Sequence, residues 1–183
     1  GCAGLLLRVV ELPSEAAQPE WLVSQREAFR RGTYIPDPHT IWRLRPGIEV
    51  AADERRLWGM KSLRINEHGM RGPSVPIEKP PGTRRVLVVG GSHPMGMYVD
   101  DRAMYAAALE RRLNEMGGTR WQVLNGAVAG HTTWQGLQFV EHHGLQFDPD
   151  VVVFDLGVND GLRLTGAYAT PDHEVTATPS WAL

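Results

Sequence analysis

The chain has 183 residues, 42% of them hydrophobic and 22% charged, which is the balance of one folded domain with an extension and not of a disordered or membrane-embedded chain. A formal net charge of −2 supplies no basic face for nucleic acid, so no nucleic-acid partner is expected. The single cysteine, Cys2, excludes an internal disulfide framework and any multi-cysteine zinc site.

In chain order, the first apolar run is Leu5, Leu6, Leu7, Val9 and Val10, far below the roughly 20 residues that cross a bilayer. Because the chain opens on Gly1-Cys2 and not on methionine, this run also reads as the tail of a lipoprotein signal or anchor helix. An anchor upstream of residue 1, and with it an extracytoplasmic location, therefore stands as one expectation beside an ordinary N-terminus. Residues 1–80 read as an N-terminal extension, a short helix followed by a few strands. Its aromatics are scattered (Trp21, Tyr34, Trp42, Trp58), Ser62–Asn66 alternates, and no chemistry is named by it. Pro73, Pro76, Pro80, Pro81 and Gly82 break every regular pattern and predict a linker over Pro73–Thr83.

Residues 81–183 form the second region. Val86–Val89 is a continuous apolar run closed by Gly90-Gly91, as expected of a strand buried on both faces. Asp100 and Asp101 can cap a helix carrying Tyr105, Leu109, Leu113 and Met116 at helical spacing, ended by Gly117-Gly118. Trp121–Leu124 predicts a second strand, Thr132–His143 a second helix closed by Gly144, and Val151–Leu156 a third strand. Strand, helix, strand, helix, strand predicts a right-handed parallel sheet in an α/β fold, with ligands at the carboxyl ends of the strands. The residues there are Ser92, the stretch from Asn125 to Gly130, and Asn159. A serine directly after a buried strand and a glycine pair suits a nucleophile. Acyl transfer also needs donors converging on an oxyanion, which the Gly130 N–H and the Asn159 amide could supply.

These stretches resemble the SGNH/GDSL family of serine hydrolases. Gly90-Gly91-Ser92 with Gly96 is similar to its first block, although the family more often reads Gly-Asp-Ser and the aspartate is absent here. Val123–Thr132 resembles the second block, and Gly157-Val158-Asn159-Asp160 the third. The resemblance covers Arg84 to about Leu164. It implies a flavodoxin-like three-layer α/β/α fold, with Ser92 as nucleophile and Gly130 and Asn159 as oxyanion donors. The implied substrate is a small-molecule or glycan acyl ester, with no cofactor and no metal. The family's base is a histidine in an Asp-x-x-His block, and no such block follows Asn159. His173, directly after Asp172, is the one histidine beyond it, and adjacency does not reproduce the family's pair. The expectation is thus a chain that stops short of the base and of the last strands of the fold. The alternative is a non-catalytic remnant or a carbohydrate- or ligand-binding domain that lacks the catalytic histidine, and a flavodoxin-like binding module ranks below both.

Plainer readings accompany these. Ser92, Gly130 and Asn159 could each be turn or cap residues, and it is their company that favours chemistry. Gly90, Gly91 and Gly96 do not have dinucleotide-binding spacing. His142-His143 reads as a helix end and not as a metal site, His93 as a residue lining the pocket, and Asp155 as a carboxylate that needs a partner or the edge of the sheet.

Overall fold

The computed structural model describes residues 29–50, 55 and 62–160. The apolar run at Val86–Val89 lies inside β3 (Thr83–Gly90), the middle strand of a parallel sheet ordered β4-β3-β5, with β4 at Arg120–Asn125 and β5 at Val151–Asp155. Val86 stands opposite Val123 on one side and Val151 on the other. Side chains alternate across a strand, and both faces of β3 are covered. Val86 and Val88 pack with Ala106, Leu109 and Leu113 of α2 (Tyr105–Glu115), while Leu87 and Val89 pack with Phe139 of α3 (Thr133–Phe139) and with Phe147. Helix, sheet and helix form three layers, the α/β arrangement of flavodoxin-like type that the sequence predicts.

Two local expectations change. The α2 helix starts behind Met104, not at Asp100-Asp101, because the Asp101 carboxylate is taken by Arg71, at 3.0 Å from Nε and 2.9 Å from Nη2. The α3 helix does begin at its predicted cap: Thr132 accepts from the Gln135 N–H, and the Gln135 side chain answers the Thr132 N–H. It then widens into a π turn over Val140–Gly144. The third strand is not covered on both faces by the described residues, since Val151 and Phe154 stay 44% and 53% exposed.

The N-terminal residues form an antiparallel hairpin of β1 (Tyr34–Asp37) and β2 (Ile41–Leu44), with Tyr34 opposite Leu44. Asp37 closes its turn by accepting from the N–H groups of His39 and Thr40 at 3.0 and 2.8 Å. The hairpin shares one apolar cluster with later residues. Tyr34, Trp42 and Leu44 are buried together with Leu63, Ile65, Met95 and Ala127–Ala129.

The proline-rich stretch predicted as a linker is pinned down. Arg85, fully buried, donates to the carbonyls of Pro76, Ile77, Glu78 and Phe147 at 2.7 to 3.2 Å. A buried guanidinium is tolerated only when its fixed fork of donors is occupied, and these carbonyls together with Gln122 Oε1, 2.9 Å from Nε, occupy it here. Among the described residues, no helix is long and apolar enough to cross a membrane.

Candidate active site

The carboxyl end of β3 runs into Gly90-Gly91 and then into the four-residue helix α1 (Ser92–Met95), which leaves Ser92 exposed at the sheet edge. Why glycine precedes it is visible in the packing. A Cβ on Gly90 would meet the Pro94 ring at 2.2 Å and the Asp155 carbonyl at 2.5 Å, and one on Gly91 would meet Asn159 Nδ2 at 2.8 Å. The Asn159 amide thus fills the space that a side chain at Gly91 would need.

Two side chains hold this turn from below. Arg71, buried, donates from Nη1 to the carbonyls of Met95 and Gly96 at 3.0 and 2.7 Å, and from Nη2 to the Val99 carbonyl at 2.7 Å. Asn125, at the end of β4, donates from Nδ2 to the Pro94 carbonyl at 2.9 Å while its side-chain Oδ1 accepts from the Ala127 N–H at 3.1 Å. Asn125 thereby joins the nucleophile turn to the loop that leads to Gly130. That loop is sewn to β3 as well, through Gly126 N–H to Val88 O at 2.8 Å and Val128 N–H to Gly90 O at 2.9 Å.

Gly130 is buried at φ +84°, a left-handed conformation that glycine adopts without strain. Its neighbour His131 is fully buried. The His131 Nε2 lies 2.9 Å from the Trp42 carbonyl, and because a carbonyl only accepts, Nε2 carries the hydrogen. Nδ1 is then a bare acceptor with no partner among the described residues. Burial holds this imidazole down at about 4, against the opposing pull of the Trp42 carbonyl and of Asp37, so it stays neutral near pH 7.

Asn159 sits in a short helical turn after β5, and its Nδ2 donates to the His131 carbonyl at 2.8 Å. An amide nitrogen has two hydrogens, and this bond uses one of them. Asp160 latches the same turn to the start of α3 by accepting from the Thr133 N–H at 2.7 Å. The structure thus brings Asn159 against Gly91, directly before Ser92, and against His131, directly after Gly130.

His93 is exposed and its Nδ1 lies 2.7 Å from Asp155 Oδ2. The carboxylate that the sequence marks as needing a partner has this one, at the end of an edge strand. His173 lies outside the described residues. His142 stacks on His39 at 3.7 Å between ring centroids, and His143 Nε2 is 3.1 Å from Asp37 Oδ2, so this pair packs on the hairpin. Among the described residues, no group of three or more His, Cys, Asp or Glu could hold a metal ion. A groove of about 410 Å³ lined by Arg64, Asp101, Met104, Glu110 and Arg111 does not include Ser92, Gly130 or Asn159.

No family profile matches the chain. Among curated proteins, an arylesterase of Vibrio mimicus is 35% identical over 81 residues, and esterase TesA of Pseudomonas aeruginosa is 35% identical over 78 residues. These alignments cover 44% and 43% of this chain and 40% and 38% of the two relatives. They support the SGNH/GDSL resemblance. The chain spans about two fifths of the length of the curated relatives it matches. Missed by the sequence reading were Trp42, Arg71 and Asn159's tether to His131, because each depends on a contact between distant parts of the chain.

Proposed function

We propose that the protein is an SGNH/GDSL-type hydrolase of acyl esters, with Ser92 as nucleophile. The observation that carries this reading is the convergence of Asn159 on Gly91 and His131, which puts an amide donor beside an exposed serine and next to the Gly130 peptide. The esterase names of the two relatives point to the same reaction class.

In the proposed reaction, Ser92 Oγ forms a bond to the acyl carbon as its proton passes to an imidazole. The carbonyl oxygen takes up the charge against the Ser92 and Gly130 N–H groups and the free Asn159 N–H. Collapse breaks the ester C–O bond, and the leaving oxygen takes the proton. Water then repeats the sequence on the acyl-serine. The imidazole is that of His93, oriented by Asp155, that of His173, or one in an Asp-x-x-His block beyond Leu183. Acyl transfer to a sugar hydroxyl in place of water follows the same steps.

The test is turnover of a short p-nitrophenyl ester by the full chain. Ser92→Ala should remove it, and Asn159→Ala should lower kcat about 100- to 1000-fold, as loss of an oxyanion donor does. His93→Ala and His173→Ala identify the base by which one abolishes turnover. Undiminished turnover in Ser92→Ala would overturn the reading, and absence of turnover toward a series of acyl groups would favour the binding-domain alternative.

A further inference from the structure

Trp42, on the β1–β2 hairpin, touches both flanks of Gly130. Its indole Nε1–H donates to the Ala129 carbonyl at 3.4 Å, and its own carbonyl accepts from His131 Nε2 at 2.9 Å. The two rings also meet edge to face, 5.6 Å between centroids. These contacts span 87 and 89 residues of sequence.

The Ala129 carbonyl and the Gly130 N–H belong to one peptide plane, and no described peptide is cis. In a trans peptide the two groups point in opposite directions, so a donor that fixes the carbonyl also fixes the N–H, turned away from the hairpin. No described residue accepts from that N–H. The carbonyl of His131, the residue after Gly130, receives Asn159 Nδ2 at 2.8 Å, so the tether on the His131 ring bears on the second donor too. Glycine at φ +84° has no side chain to resist a flip of this peptide, which leaves its orientation to outside contacts.

We infer that Trp42 is a positioning residue for ester hydrolysis, its indole N–H orienting the Ala129-Gly130 peptide so that Gly130 presents its N–H to the oxyanion. This rests on the reading of Ser92, Gly130 and Asn159 given above. Trp42 itself touches no substrate. It acts through the two residues on either side of the donor, and it makes a residue outside the resemblance part of the machinery.

Trp42→Phe keeps an aromatic ring and the backbone carbonyl that holds His131, and removes the N–H. Turnover of p-nitrophenyl ester should fall in kcat about 10- to 100-fold with KM within about 2-fold, the pattern of an interaction realised in the transition state. The rate at which a fluorophosphonate labels Ser92, followed by intact mass, should fall by a similar factor. Leu44→Val, which loosens the same hairpin without touching the donor, should lower the melting temperature and leave kcat as it was. Should Trp42→Phe not fold, Trp42→Tyr carries the same comparison, since its ring also has no donor at the indole N–H position. Parent-like kcat and labelling in these variants would overturn the inference while Ser92 still reacts. Failure of the parent to label at Ser92 would sink the ester-hydrolase reading first, and this inference with it.

Discussion

The two sides of the candidate site are built differently. From Val123 to His131 every residue is buried, whereas from Val151 to Asp160 none is. The first stretch is held by β3, by the hairpin and by Asn125, and its Gly130 peptide is set by packing. The second carries Asn159 and Asp155, and its geometry depends on a few polar contacts: Asn159 to the His131 carbonyl, Asp160 to Thr133, and Asp155 to His93. Of the two donors in the proposed site, the Gly130 N–H lies in a buried stretch, and the Asn159 amide hangs from that stretch by a hydrogen bond.

The contrast breaks most sharply with Leu44→Ala. This side chain is fully buried in the cluster that includes Ala127–Ala129, and its removal should cost about 3 kcal/mol or more in a denaturant melt. A cost under about 1 kcal/mol would mean that the hairpin is not integral to the buried side.

Acid should act next, and on the same side. An unfolded histidine titrates near 6.5, while His131 in place is held down at about 4 by burial. Between those values the unfolded chain binds a proton that the folded one refuses. Stability is thus fully present above pH 6.5 and falls as pH drops to 4, by on the order of 3 kcal/mol. Burial alone would raise Asp37, but contact with His143 and the N–H groups of Thr40 and His39 more than offset this and hold it below its ordinary 3.8. A further loss should appear as pH falls through that range. Melts from pH 8 to 3 check both, and His131→Gln should flatten the upper window.

Gly91→Ala tests the junction of the two sides. The new methyl would press on Asn159 Nδ2, and because the Asn159 turn is lightly held, the turn should yield. Stability should change by about 1 kcal/mol or less, while Ser92-dependent turnover falls about 10-fold. The smallest effect is expected on the exposed side, where Phe154→Ser should stay within about 0.5 kcal/mol. A loss of about 2 kcal/mol or more would place Phe154 beneath residues outside the described ones.

Much of the three-layer core was legible because its strands are unbroken apolar runs. Val86–Val89 has no other comfortable place than a strand covered on both faces, and turn-forming residues follow each strand at its carboxyl end. The places of Ser92, Gly130 and Asn159 beyond the strand ends were legible for that reason. Arg71 and Arg85 were not, since a lone arginine in sequence looks solvated and gives no sign of the backbone carbonyls that will surround it. Nor was Trp42, whose part rests on an indole N–H meeting a carbonyl 87 positions away. Asp101 misled as a helix cap because local capping lost to a buried cation that needed its charge. The exposure of β5 was likewise hidden, because an apolar run does not reveal which of its faces the neighbouring elements reach.

The guanidinium of Arg85 changes what the prolines around it mean. A stretch of this composition would ordinarily be where a protease cuts first, yet the carbonyls of Pro76, Ile77 and Glu78 are gathered onto one side chain at the start of the central strand. A nick there would release acceptors from a buried cation, and the injury would pass straight into the sheet. Resistance to digestion in this stretch should therefore rise and fall with the folding of the whole sheet, so that an apparent hinge serves as a reporter of the core.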